Sequence, residues 1–322
     1  MKTLLLAAIL ALSIQSAEAQ STLPAPGFHH LHLNSVDPAA AIAFYAREFP
    51  TTMPSSFAGL PALKAGPVYV LFTKVSAPPP TTPQTALWHF GWHVVDVHQS
   101  LATYQQRPEV RLLPLYTTDE GGSVFVSSDT WPGTGGSLGL TKPQIAEAKA
   151  KGVQPTHGAG FGYIAGPDGA IIEYQGNMPA ERFNHVHLFE RDPFCAQLWY
   201  EIHLNAGDPA KSPYTMANCK VPVPERSWPS LEVGGMLRQP ATVTFGDVSI
   251  TWHVQQDNQP LVSSVGHLYD HFALSVTDLD AWVAKLRREN VKVLKTSYKV
   301  GDARAVMIEG PSREAIELIE IK

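Results

Sequence analysis

The chain has 322 residues, 44% of them hydrophobic, and a formal charge of −5 at neutral pH. The length suits two domains, and the hydrophobic share can supply ordinary cores. No basic stripe is present, which argues against nucleic acid as a partner.

Residues 1–19 read as a secretory signal peptide. Lys2 gives the positive start, Leu4 to Leu12 the apolar stretch, and Ala17-Glu18-Ala19 the small-residue cleavage site. That apolar run is too short to span a bilayer, and no later run is long enough, so no membrane span is expected. The mature chain is expected to begin near Gln20 and to be periplasmic or secreted. In an oxidising compartment Cys195 and Cys219 are expected to form a disulfide. It would close a loop of about 25 residues and contribute roughly 3 kcal/mol. The alternative is two buried thiols.

The stretch from Phe28 to Asp37, FHHLHLNSVD, predicts a strand that sends His30, His32 and Asn34 to one face and His29, Leu31 and Leu33 to the other. Asp37 is a good helix N-cap, and Pro38 suits the first position of the alanine-rich helix that follows. A β-rich run, VYVLFTKV, covers 68–75, and a stiff proline-rich connector, SAPPPTTPQT, follows at 76–85. The opening pattern then returns as WHFGWHVVD (88–96) and a helix. Here His89, Gly91 and His93 share one face. The region from about 117 to 141, which contains Trp131, is too long for a routine connection and reads as a lid, a binding loop or a floppy insertion. A short helix is expected at 143–151, then strand, turn and strand at 160–176, with Pro167-Asp168-Gly169 in the turn and Glu173 in the last strand.

The pattern comes a third time at 183–204, with His185 and His187 on one face and Asp192-Pro193 expected to cap the helix. A second proline-rich insertion, about 206–240, carries Trp228. A fourth copy runs from HFALSVTD (271–278) into an amphipathic helix and two strands, with Glu317 placed as Glu173 is. A ruler confirms the repeat. His30, His89, His185 and His271 each stand seven residues before an Asp: Asp37, Asp96, Asp192 and Asp278. Glu173 and Glu317 each stand seven residues after the Gly of a Gly-Pro pair. Four modules follow. Each is too small to bury its own sheet face, so modules should pair. The expected division is one with two (27–177) and three with four (182–322).

That division gives each domain two strand histidines and a strand glutamate: His30, His89 and Glu173, then His185, His271 and Glu317. Two neutral imidazoles and a carboxylate suit one divalent ion per domain at most (Fe, Mn, Zn or Ni) and leave positions for water or substrate. A lone strand histidine is more often a packed residue, but six residues in matched register favour ligation, and an unpartnered inward Glu is costly. His32 and His93 should face the first cavity and His187 the second, as acid–base groups or as polar lining.

The strand histidine, the capped helix and the late GPDGxxxE strand resemble the vicinal oxygen chelate superfamily, which includes glyoxalase I, extradiol dioxygenases and bleomycin resistance proteins. The resemblance covers nearly all of the mature chain. It implies an α+β fold of four βαβββ modules paired into two cupped-sheet domains around metal. In glyoxalase I a further Glu closes the odd-numbered module. Here those stretches, VYVLFTKV and SITWHV, contain none. Three ligands are closer to the extradiol dioxygenases, in which a Tyr stands ten residues before the ligand Glu, as Tyr163 does before Glu173, with His157 a little upstream. In the second domain Met307 takes the place of that Tyr. The resemblance therefore implies a metal-dependent dioxygenase, lyase or isomerase acting on a small oxygen-rich molecule, in a monomer or homodimer. The alternative is a protein that sequesters a small molecule without turnover.

Overall fold

The computed structural model describes residues 23–117, 123–129, 142–153, 159–221, 241–255 and 259–321. The expected signal peptide, Trp131, His157 and Trp228 lie outside the described residues. Among the described residues no helix is long and apolar enough to cross a membrane.

Each module opens on a strand, turns into a helix, and returns through further strands. The first comprises β1 (Gly27–Ser35), α1 (Pro38–Glu48), β2 (Met53–Phe57), β3 (Leu60–Ala65) and β4 (Val68–Lys74). The second comprises β5 (Leu87–His93), α2 (Val97–Gln105), β6 (Arg111–Leu113), the small pair β7 (Tyr116–Thr117) and β8 (Ser123–Val124), α3 (Lys142–Ala150), β9 (Phe161–Ala165) and β10 (Ile171–Gln175). In the third the described residues form β11 (Arg182–Glu190), α4 (Pro193–Leu204), β12 (Ala241–Phe245) and β13 (Val248–Val254). The fourth is β14 (Tyr269–Val276), α5 (Leu279–Arg288), β15 (Val293–Val300), β16 (Ala303–Glu309) and β17 (Ala315–Glu320).

Aspartate stops three of the opening strands as expected. The side chains of Asp37, Asp96 and Asp278 accept from backbone N–H groups in the first turns of α1, α2 and α5. Asp192 does not cap α4 in this way. Its carboxylate instead accepts from Val221 N at 2.9 Å. That bond ties the segment after Cys219 back to the start of α4, beside the Cys195–Cys219 disulfide. The bridge matches the sequence expectation.

The pairing of modules differs from the sequence reading. The eight-stranded sheet runs β15-β16-β17-β14-β1-β4-β3-β2 and joins modules one and four. The seven-stranded sheet runs β12-β13-β11-β5-β10-β9-β6 and joins modules two and three. The expected boundary between 177 and 182 therefore falls inside one sheet. The seams are antiparallel, β1 on β14 and β5 on β11. All four opening strands carry the same edge pattern, so nothing in the local sequence says which two meet.

The core lies between the two sheets. Leu31 and Leu33 of β1 enter it, as do Phe90 and Trp92 of β5. Phe49 stacks on Trp92 with ring centroids 4.1 Å apart. Period-two alternation then leaves His30 and His32, and likewise His89, on the opposite faces. Glu314, between β16 and β17, is fully buried and accepts from Tyr200 Oη on α4 at 2.6 Å and from Ser312 N at 2.8 Å. This contact bridges the two paired-module units.

Burial pushes the Glu314 carboxyl up to about 8 from 4.5. The folded chain then holds a proton that the unfolded chain releases above the lower value, so stability falls as pH rises between them. Glu314→Gln is expected to flatten that decline, read as thermal midpoint against pH. An unchanged slope would contradict the assignment.

Candidate metal centres

Each seam carries two β-bulges. On β1 and β14 the paired register skips His29 and Asp270, and on β5 and β11 it skips Trp88 and Asn184. Every skipped residue immediately precedes one of the histidines set seven before an Asp. A bulge turns its extra residue out of strict alternation, so neighbouring side chains can meet. His29 Nδ1 lies 2.8 Å from His30 Nδ1, Asn184 Oδ1 3.0 Å from His185 Nδ1, and Asp270 Oδ1 2.5 Å from His271 Nδ1. Trp88 instead sets its ring against His89, with centroids 4.3 Å apart. With Nδ1 held, Nε2 is the atom left to face the hollow, which is how an outer group fixes the tautomer of a metal ligand.

In the sheet of modules two and three, His89, Glu173, His185 and His187 each offer a donor atom within 4.8 Å of the others. His89 Nε2 is 2.9 Å from Glu173 Oε2, His185 Nε2 is 3.7 Å from Oε1, and His187 Nδ1 is 3.9 Å from Oε2. In the sheet of modules one and four, His30, His32 and His271 form a second such group. Glu317 adjoins it, with Oε1 3.7 Å from His30 Nε2 and Oε2 4.0 Å from His271 Nε2.

The electrostatics suit ligation. Burial pushes His89 down to about 3 and His185 to about 4, and drives His30 and His187 well below the ordinary imidazole range. All four are neutral at pH 7, the state in which imidazole donates a lone pair. Burial raises Glu173, opposed by His185, by a hydrogen bond from Tyr163 and by His93. His185 Nε2, His187 Nδ1, His30 Nε2, His271 Nε2 and Glu317 Oε1 are buried and make no hydrogen bond. A divalent cation would satisfy these atoms together, so the residues present fit one.

The chain matches no protein-family model and, in sequence, no curated protein. In structure it is similar to glyoxalase I from Zea mays, at 13% identity and a TM-score of 0.57, over 92% of each chain. It is also similar to a protein of Bacillus subtilis strain 168 thought to be a dioxygenase, at 10% identity and a TM-score of 0.51, over 92% of this chain and 86% of the other. The chain has the vicinal oxygen chelate fold. Its α+β architecture of paired, cupped modules is the one the sequence resemblance implied.

Within that fold the expected ligand trios regroup. His89 and Glu173 meet His185, not His30, and His271 and Glu317 meet His30, not His185. The cause is the pairing of modules: each trio takes its histidines from both sides of a seam. His32 and His187 reach the centres, one each. His93 lies outside the ligand group, half-buried beside Gln175 and Arg182, though within electrostatic reach of Glu173. Tyr163 lies directly across the ladder from Glu173 and hydrogen-bonds to it.

Several participants were not read from the sequence. Tyr298 on β15 donates to Glu317 Oε2 at 2.5 Å, filling the place that Met307 leaves empty of a hydroxyl. The bulge residues His29, Asn184 and Asp270 were hidden because strict alternation assigns them to the far face. The sequence places Gly91 on the face of His89 but does not reveal its role as the space for the His185 ring. A Cβ there would stand 2.6 Å from the His185 imidazole and 2.5 Å from the Glu173 carbonyl oxygen.

Gly91→Ala is therefore expected to displace the His185 ring and to destabilise the fold by about 1–3 kcal/mol, as overpacking does. Chemical denaturation with metal analysis checks this, and unaltered stability and metal content would refute it. Asp270→Ala and Asn184→Ala are each expected to weaken metal binding roughly 10–100-fold at one centre, the usual effect of losing an outer partner. Chelator competition measures it. An affinity equal to the parent's would show that the bulge contacts do not orient the ligands.

Proposed function

We propose that the protein is an exported enzyme, dependent on a divalent metal, that acts on a small oxygen-rich molecule. His89, His185 and Glu173 would hold one ion, and His30, His271 and Glu317 the other. The observation that carries this reading is the convergence, in both sheets, of buried imidazole nitrogens left without hydrogen-bond partners beside a buried glutamate, with Glu317 Oε1 likewise unpartnered. A bound divalent ion (Fe, Mn, Zn or Ni) would supply Lewis acidity for stabilising an enolate or catecholate.

The chain's own groups have defined roles around that ion. The Tyr163 and Tyr298 hydroxyls stay protonated, since burial raises both well above the ordinary phenol range. Each donates to its glutamate and holds the carboxylate in place. The imidazoles of His30, His89, His185 and His187, kept neutral by burial, supply lone pairs without adding positive charge. Dioxygenase, lyase and isomerase chemistry all suit such a centre, and the fold is shared with a glyoxalase I and with a protein thought to be a dioxygenase. Export rests on Lys2, the apolar run and the Ala17-Glu18-Ala19 site.

Metal analysis of the purified mature protein tests the proposal. Two equivalents are expected, with His89→Ala and His271→Ala each removing one. Full occupancy in either variant would overturn that centre's assignment. Oxygen uptake with catechols would place the enzyme among dioxygenases, and product formation without oxygen among lyases or isomerases. Stoichiometric capture of a small molecule with no product would replace the enzyme reading with that of a binding protein.

A further inference from the structure

Both centres carry a third histidine that a two-histidine, one-carboxylate site does not need. It stands two residues beyond the first, as His32 after His30 and as His187 after His185. These positions are equivalent across the two seams: His32 pairs with His271, and His187 with His89. Neither side chain is free surface. His187 Nδ1 is buried without a hydrogen-bond partner and lies 3.9 Å from Glu173 Oε2. His32 Nε2 lies 2.7 Å from Thr73 Oγ1. In the tautomer that donates to Thr73, His32 keeps a lone pair on Nδ1.

The residue that backs the third histidine is also equivalent in the two sheets. Thr73 stands in register with Asn34 on β4, and His253 with Phe189 on β13. Asn34 and Phe189 each lie four residues after the first histidine of their strand. The His253 ring packs against His187 with centroids 4.9 Å apart. Each third histidine is thus braced from the neighbouring strand and turned toward its centre, as an oriented ligand is. His93, by contrast, shares a strand with His89 and falls outside the group.

We infer that His32 and His187 are metal ligands, so that each centre offers three imidazoles and one carboxylate. The inference rests on the metal reading above and deepens it. An ion that prefers six donors would keep two positions for other ligands instead of three. Two positions suffice for one chelating substrate and leave none for a separate diatomic molecule beside it. The four-donor set therefore favours non-oxidative chemistry on a substrate with adjacent oxygens.

Copper(II) and cobalt(II) are the probes. In the copper-loaded parent protein, pulsed electron paramagnetic resonance with nitrogen counting is expected to show three coordinated imidazoles per centre. Two would overturn the inference and leave the metal reading intact. In a His271→Ala background, which silences the centre of modules one and four, His187→Ala is expected to weaken cobalt binding at least about tenfold and to change its visible spectrum. His93→Ala is expected to change neither. A His187→Ala protein with the parent's cobalt affinity and spectrum would show that His187 is not a ligand. Failure of the parent to bind either ion would bring down both this inference and the reading beneath it.

Discussion

Glu173 and Glu317 are carboxylates buried in sheet interiors, each 2% exposed, with imidazole nitrogens arriving from two strands. Burying a negative charge is costly unless a positive charge or several donors meet it. Here the nearest groups are imidazoles, and burial keeps those of His30, His89, His185 and His187 neutral, so that they bring lone pairs of their own. One tyrosine hydroxyl serves each glutamate, with His89 Nε2 also at hydrogen-bond distance from Glu173, which is little to compensate a buried carboxylate. A cation resolves the conflict in one step, because it takes the carboxylate and the lone pairs together. Other features around the centres serve this arrangement: bulges that hold Nδ1, a glycine that makes room for the His185 ring, and hairpins that set the register of the glutamates.

The way the modules pair adds a second constraint. Each centre straddles a seam between β1 and β14 or between β5 and β11, and takes one histidine of the pair from each side. The glutamate comes from the strand beside His89 in one sheet and beside His271 in the other. Separating a seam would part the two imidazoles, so an ion at the centre would also clasp the sheet. Metal affinity and sheet stability are then coupled, as they are wherever a site exists only in the folded chain. The seam of the seven-stranded sheet joins modules adjacent in the chain, while that of the eight-stranded sheet joins its first and last modules. A clasp contributes most where the loop it closes is longest.

Much of this was legible in the sequence because the repeat keeps a fixed spacing. The seven-residue interval from histidine to aspartate located all four opening strands and three of the helix caps. The interval from Gly-Pro to glutamate located both carboxylates. Module pairing was not legible, since the four strand edges carry one pattern and the partners are brought together only by contacts far apart in the chain. The bulges were hidden for a related reason. Alternation is a rule for regular ladders, and one extra residue in each strand reassigns His29, Asn184 and Asp270 to the working face. Asp192 misled because its neighbour Pro193 does start a helix, while the carboxylate is drawn to Val221 beside the disulfide.

The two tyrosines carry the argument one step further. Tyr163 reaches Glu173 from directly across the ladder, on β9. In the other sheet that position is Met307, which cannot donate, yet Glu317 still receives a phenol hydrogen bond, from Tyr298 one strand further out. A glutamate that was merely a packing accident would be most easily relieved by an apolar side chain of similar size. Instead both carboxylates are kept and oriented by donors that arrive from different strands. A hydroxyl held on one oxygen leaves the carboxylate with capacity to spare, aimed at the imidazoles, as an oriented ligand requires. Under the proposed function, the same chemical outcome from two unlike placements favours two working centres over one centre and a vestige.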